Sequence, residues 1–346
     1  MLKAQNVGYS VTNKVLVQPA TVEFEDGSLT AILGPNGAGK TKLVKLLSGE
    51  KKPTHGSVRL DGRPLSELSA QELAARRAVV PQAANLSFSF SVADVVMLGR
   101  TVPGLSGYDE RADRICSNVL ERADIAHLAD RSYMQLSGGE KQRVHLARAL
   151  AQLADWQRNQ GASVLFLDEP TAALDLAHQL SILTEVRKEA DAGLTVIAVL
   201  HDLNLAARFA DQLILMCDGH LVAHGTPGSV IEQDCLSRVF DCDVPVRRTP
   251  PEKMPFILPQ VCEAVLRETP AKLEILGFSS RTPEPVSTSS TKRTPADRDR
   301  DTMAGRVCLT CFGSGSHCDG SSSLCCPDCC GRGHVPLEPR SLIQQA

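Results

Sequence analysis

Residues Gly34-Pro35-Asn36-Gly37-Ala38-Gly39-Lys40-Thr41 follow the pattern G-x-x-x-x-G-K-[ST], and no other segment constrains the fold as tightly. The apolar run Leu29-Thr30-Ala31-Ile32-Leu33 comes just before them and reads as a strand. Leu43, Val44, Leu46 and Leu47 follow at helical spacing. A strand, a glycine loop and a helix start in this order form an anion site. The glycines let the backbone curl inward, and the helix dipole adds positive potential at the same point. The pattern expects Lys40 to reach the outer phosphates of a nucleotide and the Thr41 hydroxyl to ligate Mg²⁺.

The chain has 346 residues, which suggests two or three folded units. Unbroken apolar runs at Val164-Leu165-Phe166-Leu167 and Thr195–Leu200 suit the middle of a parallel sheet covered on both faces. Helical patterns between them, at Val144–Leu153 and Leu176–Glu189, predict a layered α/β fold. The first ~25 residues and the segment Gly56–Gly62 read as antiparallel hairpins beside that core. Residues 70–150 read as mainly helical, a subdomain inserted between the phosphate loop and Val164. A formal net charge of −3 gives no global basic field, so no nucleic-acid partner is expected. The N-terminus shows no secretory signal pattern, and no apolar run approaches the ~20 residues of a membrane span. Work at a membrane would therefore need a partner to hold the chain there.

Two further motifs suit phosphate chemistry. Asp168-Glu169 ends the Val164–Leu167 run, and open α/β sheets place ligands at the carboxyl ends of their strands. Asp168 is expected to hold Mg²⁺ and Glu169 to polarise an attacking water, so that one carboxylate neutralises charge while the other orients the nucleophile. Leu136-Ser137-Gly138-Gly139-Glu140 is a second glycine turn opening a helix. A capping box explains that helix start but not the paired glycines.

This turn resembles the signature of the ATP-binding cassette (ABC) family. The order of the motifs also matches: Gly34–Thr41, Gln82, Ser137-Gly138-Gly139, Asp168-Glu169, Asp175 and His201, over about residues 1–250. The resemblance implies a P-loop ATPase with a parallel-sheet core, an antiparallel β subdomain and an inserted helical subdomain. It implies ATP and Mg²⁺ as ligands and two copies paired head to tail. Ser137, Gly138 and Gly139 of one copy then meet the γ-phosphate held by the other. Gln82 senses Mg²⁺ and the attacking water, and His201 contacts the γ-phosphate and holds Glu169. Within the family the chain is most similar to the ATPases of bacterial hemin importers. The residues carrying this likeness are Phe88–Val92 after Pro81-Gln82, Val95–Arg100, Leu176–Gln179, Val199–Arg208 and the extra segment Asp155–Gly161. Ferric-siderophore and vitamin B12 importers share much of it. The expected partners are two copies of a multi-span permease and, indirectly, a periplasmic binding protein. The expected location is the cytoplasmic face of the inner membrane, and residues 82–100 are expected to form a groove for a permease helix. The rival class, a soluble cassette of DNA repair or translation, usually has a coiled-coil arm or two cassettes in one chain, and this chain shows neither.

Three positions depart from the family pattern. Lys42 replaces the usual Thr, so that a phosphate contact is altered or replaced by a charge. Ala172 replaces a common Ser. An aromatic that stacks on adenine falls on Val11, with Tyr9 as a substitute or as plain sheet packing.

Beyond a cassette at 1–262 the composition changes. Residues 263–305 are read as a flexible linker, because their Ser/Thr/Pro and Arg/Asp stretches cannot bury enough surface to offset chain entropy. Of twelve cysteines, seven fall between Cys308 and Cys330, in a tail at 306–346. Cys308-x-x-Cys311 and Cys326-x-x-Cys329 resemble the zinc-binding repeats of the DnaJ chaperone family, which implies a four-thiolate Zn²⁺ site. The fourteen-residue spacer is slightly short for such a site.

Overall fold

The protein is described here from a computed structural model. It describes residues 1–12, 14–82, 89–101, 110–155, 161–172 and 174–250, positions 255, 257–259 and 262, and the backbone of four short tail strands. The chain forms two compact units, Met1–Ala271 and Lys272–Ala346.

The core of the first unit is a six-stranded sheet. Its members are β3 (Leu29–Leu33), β6 (Arg77–Val80), β7 (Val164–Asp168), β8 (Thr195–Val199), β9 (Gln212–Cys217) and β10 (His220–Gly225), in the spatial order β10-β9-β3-β8-β7-β6. All neighbours are parallel except the antiparallel pair β9–β10. Every residue of β3, β7 and β8 is buried. Because side chains alternate along a strand, each strand feeds both faces. Leu29, Ala31, Leu33, Leu165, Leu167, Val196 and Ala198 enter one apolar cluster, and Ile32, Val164, Phe166, Ile197 and Val199 enter the other. Continuous apolar runs, rather than alternating ones, are what burial on both faces requires.

The second face is covered by α1 (Lys40–Leu47) and by an antiparallel sheet of β1 (Leu2–Val11), β2 (Lys14–Phe24), β4 (His55–Leu60) and β5 (Arg63–Pro64), in the order β2-β1-β4-β5. The hairpins expected from the sequence are therefore present, with Leu2 paired to both Phe24 and Leu60. The first face carries α3 (Val92–Met97), α4 (Glu110–Arg122), α5 (Gly138–Leu153), α6 (Leu176–Asp191) and α7 (Leu203–Phe209).

Residues 70–150 are mainly helical, with one strand among the described residues: after α2 (Ala70–Arg76), β6 forms the edge of the core sheet and pairs with β7. Four residues, Arg77-Ala78-Val79-Val80, are too few to show a period, and α2 leads directly into them. Residues 82–100, expected to form a groove, are described in part. Residues 83–88, including Phe88, lie outside the described residues. Phe90 packs against the first cluster, and Val92, Val95, Val96 and Arg100 are fully buried.

In the tail, Arg306–Val307 pairs antiparallel with His334–Val335, and Ser316–Cys318 pairs antiparallel with Ser323–Cys325.

Candidate functional site

The phosphate loop connects β3 to α1, and two of its glycines are required by geometry. Gly34 has φ +142°, and a Cβ there would lie 2.1 Å from the Met216 carbonyl oxygen of β9. Gly39 caps α1 at φ +97°, and a Cβ there would lie 2.8 Å from the carbonyl oxygen of Leu16. Side chains at either point would push the loop away from the strands that support it. Lys40 is only 5% exposed, and its Nζ donates to the carbonyl oxygens of Gly34 (2.8 Å) and Pro35 (3.0 Å). Burial holds its pKa below the ordinary lysine value, while the charges of Glu169 and Asp168 pull the other way.

Sheet register brings the remaining groups to this loop. Val199 pairs with Ile32 on one side and with Asp168 on the other. The carboxyl ends of β3, β7 and β8 are therefore level. Gly34, Glu169 and His201 sit one or two residues beyond them. The Thr41 hydroxyl donates to Asp168 Oδ1 at 3.1 Å. Asp168 is 4% exposed, and burial lifts its carboxyl pKa above the usual range; the Thr41 bond opposes this and the Glu169 charge adds to it. Glu169 stands at φ +55°, in the left-handed region, and lines the cleft opposite the loop residues. Its Oε2 accepts from Gln82 Nε2 at 2.7 Å, and its Oε1 lies 2.8 Å from His201 Nε2.

A cleft of ≈ 310 Å³ lies between Asn36–Lys42, Gln82, Glu169 and Leu16 of β2. It adjoins a second cavity of ≈ 230 Å³ that shares Thr41 and Gln82 and adds Asp168. A hydroxyl, a carboxamide and a carboxylate converging there form an all-oxygen donor set, which suits a hard cation such as Mg²⁺. The sequence reading missed Leu16. Its signal is its place on β2, where half-buried Leu16 lies between exposed Val15 and buried Val17. Tyr9 does not line the cleft; it packs against the second cluster, with Lys51 Nζ 5.6 Å from its ring centroid. Val11 is exposed.

The glycine turn at Ser137 is not among the groups lining this cleft. Ser137 caps α5: its N–H donates to Glu140 Oε2 (2.7 Å), and its Oγ accepts from the Glu140 N–H (3.3 Å). These bonds hold the Glu140 carboxyl below its ordinary pKa. Gly138 and Gly139 form the first turn, with Ser137 and Gly138 exposed. Asp175 caps α6 by accepting from the His178 N–H at 3.0 Å. Ala172 is exposed, and its N–H donates to the Glu169 carbonyl oxygen at 3.4 Å. Among the described residues, no group of three or more His, Cys, Asp or Glu forms a metal cluster. Cys308, Cys311, Cys326 and Cys329 lie outside those residues. No helix among the described residues is long and apolar enough to cross a membrane.

Comparison with known proteins agrees with this geometry. The profile of the ABC transporter family matches residues 17–172. The hemin import ATP-binding protein HmuV of Pseudomonas entomophila (strain L48) is 46% identical over 258 residues, covering 75% of this chain and 99% of that protein. HmuV of Rhodopseudomonas palustris (strain BisB5) is 43% identical over 262 residues, covering 76% and 98% respectively. Among solved structures, the dimeric post-hydrolysis state of the ATP-binding cassette MJ0796, bound to ADP and Pi, is 27% identical with a TM-score of 0.58; the match covers 66% of this chain and 99% of that one. A phosphate loop facing two strand-end carboxylates, on a chain that spans nearly the full length of these relatives, establishes the lineage: the chain belongs to the ABC transporter family, as one of its ATP-hydrolysing cassettes.

Proposed function

We propose that this ATPase powers a hemin importer. Cassettes of this kind act as dimers with membrane permease partners. One observation carries the cargo: identity of 40–46% with hemin import ATP-binding proteins across 96–99% of their length.

The residues divide the work as follows. Gly34, Pro35, Asn36, Gly37, Ala38 and Gly39 wrap the triphosphate of ATP with backbone N–H groups. Lys40 moves from the Gly34 and Pro35 carbonyls to the outer phosphates, which restores a full charge partner to a buried ammonium. Thr41, Gln82 and Asp168 hold Mg²⁺, which offsets negative charge on the phosphate oxygens. Glu169 orients the attacking water and takes its proton; His201 fixes the carboxylate from one side and Gln82 from the other. A second copy lends Ser137, Gly138 and Gly139 to the γ-phosphate; in this chain that turn does not line its own cleft. Opening and closing of this pair is passed through the segment after Gln82 to two copies of a permease, which holds the cassette at the cytoplasmic face of the inner membrane. A periplasmic binding protein delivers cargo to the permease and does not touch this chain. No nucleic acid takes part.

The test is uptake in vesicles holding the chain with its cognate permease, supplied separately with hemin, a ferric siderophore and cobalamin. Hemin accumulation that depends on ATP and on Glu169 supports the reading. Uptake of only the siderophore or only cobalamin replaces hemin as the cargo.

For the tail we propose Zn²⁺ held by Cys308, Cys311, Cys326 and Cys329. The support is sequence spacing together with the nested pairing of the four tail strands. In the sequence, one C-x-x-C pair falls between Arg306–Val307 and Ser316–Cys318, and the other falls between Ser323–Cys325 and His334–Val335. Four thiolates suit tetrahedral zinc. Metal analysis of the purified full chain should give one zinc per protein, lost when Cys326 and Cys329 are replaced by Ser; a metal-free chain refutes it.

A further inference from the structure

We propose that Lys42 is a second nucleotide-contacting cation, directed at the inner phosphates that ATP and ADP share. This rests on the reading of the cleft as the nucleotide site.

Three observations support it. Lys42 lines the cleft and is half-buried there. Among the described residues, no carboxylate oxygen lies within ion-pair distance of it; the one acidic residue lining the cleft, Glu169, is already engaged by Gln82 and His201. Lys42 is also the third residue of α1, whose first turn contains no acidic side chain. A cation at that end of a helix is opposed by the dipole and by the unpaired N–H groups. An unpaired, half-buried ammonium in an unfavourable field therefore costs stability while the cleft is empty. The same position becomes favourable once a polyphosphate enters, because the anion neutralises both the helix end and the side chain. Lys40 cannot fill this role alone. Its ammonium is committed to the outer phosphates, and Lys42 stands two residues further along α1.

The experiment compares Lys42→Gln, a neutral side chain of similar length and helix propensity, with Lys42→Arg, in the full-length protein. ADP and ATP binding are measured by calorimetry at low and high salt, and unfolding is measured with and without ADP. For Lys42→Gln, the Kd of both nucleotides should rise about five- to tenfold at low salt, as expected for one charge-assisted contact. The difference should narrow at high salt, because the site is open to solvent. The nucleotide-free Tm should rise or stay level, while the shift on adding ADP shrinks. Lys42→Arg should bind as the parent protein does. Unchanged Kd values for Lys42→Gln, a loss confined to ATP, or a fall in the nucleotide-free Tm equal to the loss in the liganded form each overturn the proposal. Lys40→Ala serves as the control for the underlying reading. If it binds ATP normally, the nucleotide site itself is misassigned; if it fails to bind while Lys42→Gln is unaffected, only the role of Lys42 falls.

Discussion

Replacing Glu169 with Gln isolates the chemistry from the architecture. The Glu169 carboxylate accepts from Gln82 Nε2 at 2.7 Å and lies 2.8 Å from His201 Nε2. A carboxamide has the same shape. Its oxygen can keep accepting from Gln82 Nε2, and the new NH₂ group can donate to His201 Nε2 in the tautomer that carries its proton on Nδ1. Both contacts survive, and the left-handed backbone at residue 169 is untouched. Folding stability should therefore change by no more than about 0.5 kcal/mol. The loss is the base. Positioned proton transfer contributes roughly 10²- to 10⁴-fold in rate, or about 3–5 kcal/mol of barrier. The assay is single-turnover hydrolysis with protein in excess of ATP, with light scattering on the same samples to follow assembly. We expect a rate lowered by about 100-fold or more, ATP binding retained, and an accumulated ATP-bound dimer. Hydrolysis within about threefold of the parent protein would remove Glu169 from the mechanism. A loss of rate accompanied by loss of ATP binding would show that the side chain is structural.

Other substitutions probe the supports of the site. Gly34→Ala puts a methyl group 2.1 Å from the Met216 carbonyl at φ +142°, so urea unfolding should show a loss of roughly 2 kcal/mol or more along with loss of ATP binding. Tyr133 is buried, and its hydroxyl lies 2.8 Å from His145 Nε2 just ahead of the Ser137 turn. Tyr133→Phe should cost about 1–2 kcal/mol in the same assay, and no change would show that the bond contributes nothing. Asp168 has a raised carboxyl pKa, so its charged form destabilises the empty fold, and this penalty grows as pH rises through that pKa and vanishes below the ordinary carboxylate range. Asp168→Asn should raise the nucleotide-free Tm at neutral pH while abolishing any further stabilisation by Mg²⁺ with ATP; a lower nucleotide-free Tm contradicts the sign.

Much of this arrangement is legible in the residues alone, for identifiable reasons. Continuous apolar runs at Val164–Leu167 and Thr195–Leu200 suit strands covered on both faces, and Leu29–Leu33 reads as a strand because a glycine loop and a helical pattern follow it. Other features do not print a pattern. Strand β6 has four residues and is decided by its partner β7, a long-range pairing with no local period. Leu16 reaches the cleft because β2 passes beneath Gly39, a contact made in tertiary space. Tyr9 matched an aromatic requirement by type, but its ring is committed to the apolar cluster under Lys51. In the sequence Arg100 carries only part of the likeness to hemin-importer ATPases, and nothing local marks it as fully buried. Its guanidinium donates to the Ala151 carbonyl at 2.9 Å and to Asp155 at 2.9 Å, which is what allows burial of a charge there.

The Ser137 turn shows how a cap and an anion site coexist in one segment. The capping box consumes the Ser137 hydroxyl as acceptor and the Ser137 N–H as donor, both within the turn. It therefore stabilises α5 without help from another copy, and the turn keeps its shape in a lone chain. The box does not use the N–H groups of Gly138 and Gly139, which open the first turn of α5 and have no intrahelical acceptor. Without side chains on those two residues, another molecule's phosphate can approach the backbone closely. The bland reading and the functional one thus draw on different atoms. A glycine pair contributes nothing to the box and weakens helix propensity by about 1 kcal/mol per residue relative to Ala. Gly138→Ala together with Gly139→Ala should therefore stabilise the isolated cassette while suppressing the ATP-dependent dimer of the Glu169→Gln protein. Dimer formation at full strength in that background would show that the paired glycines serve the helix start alone.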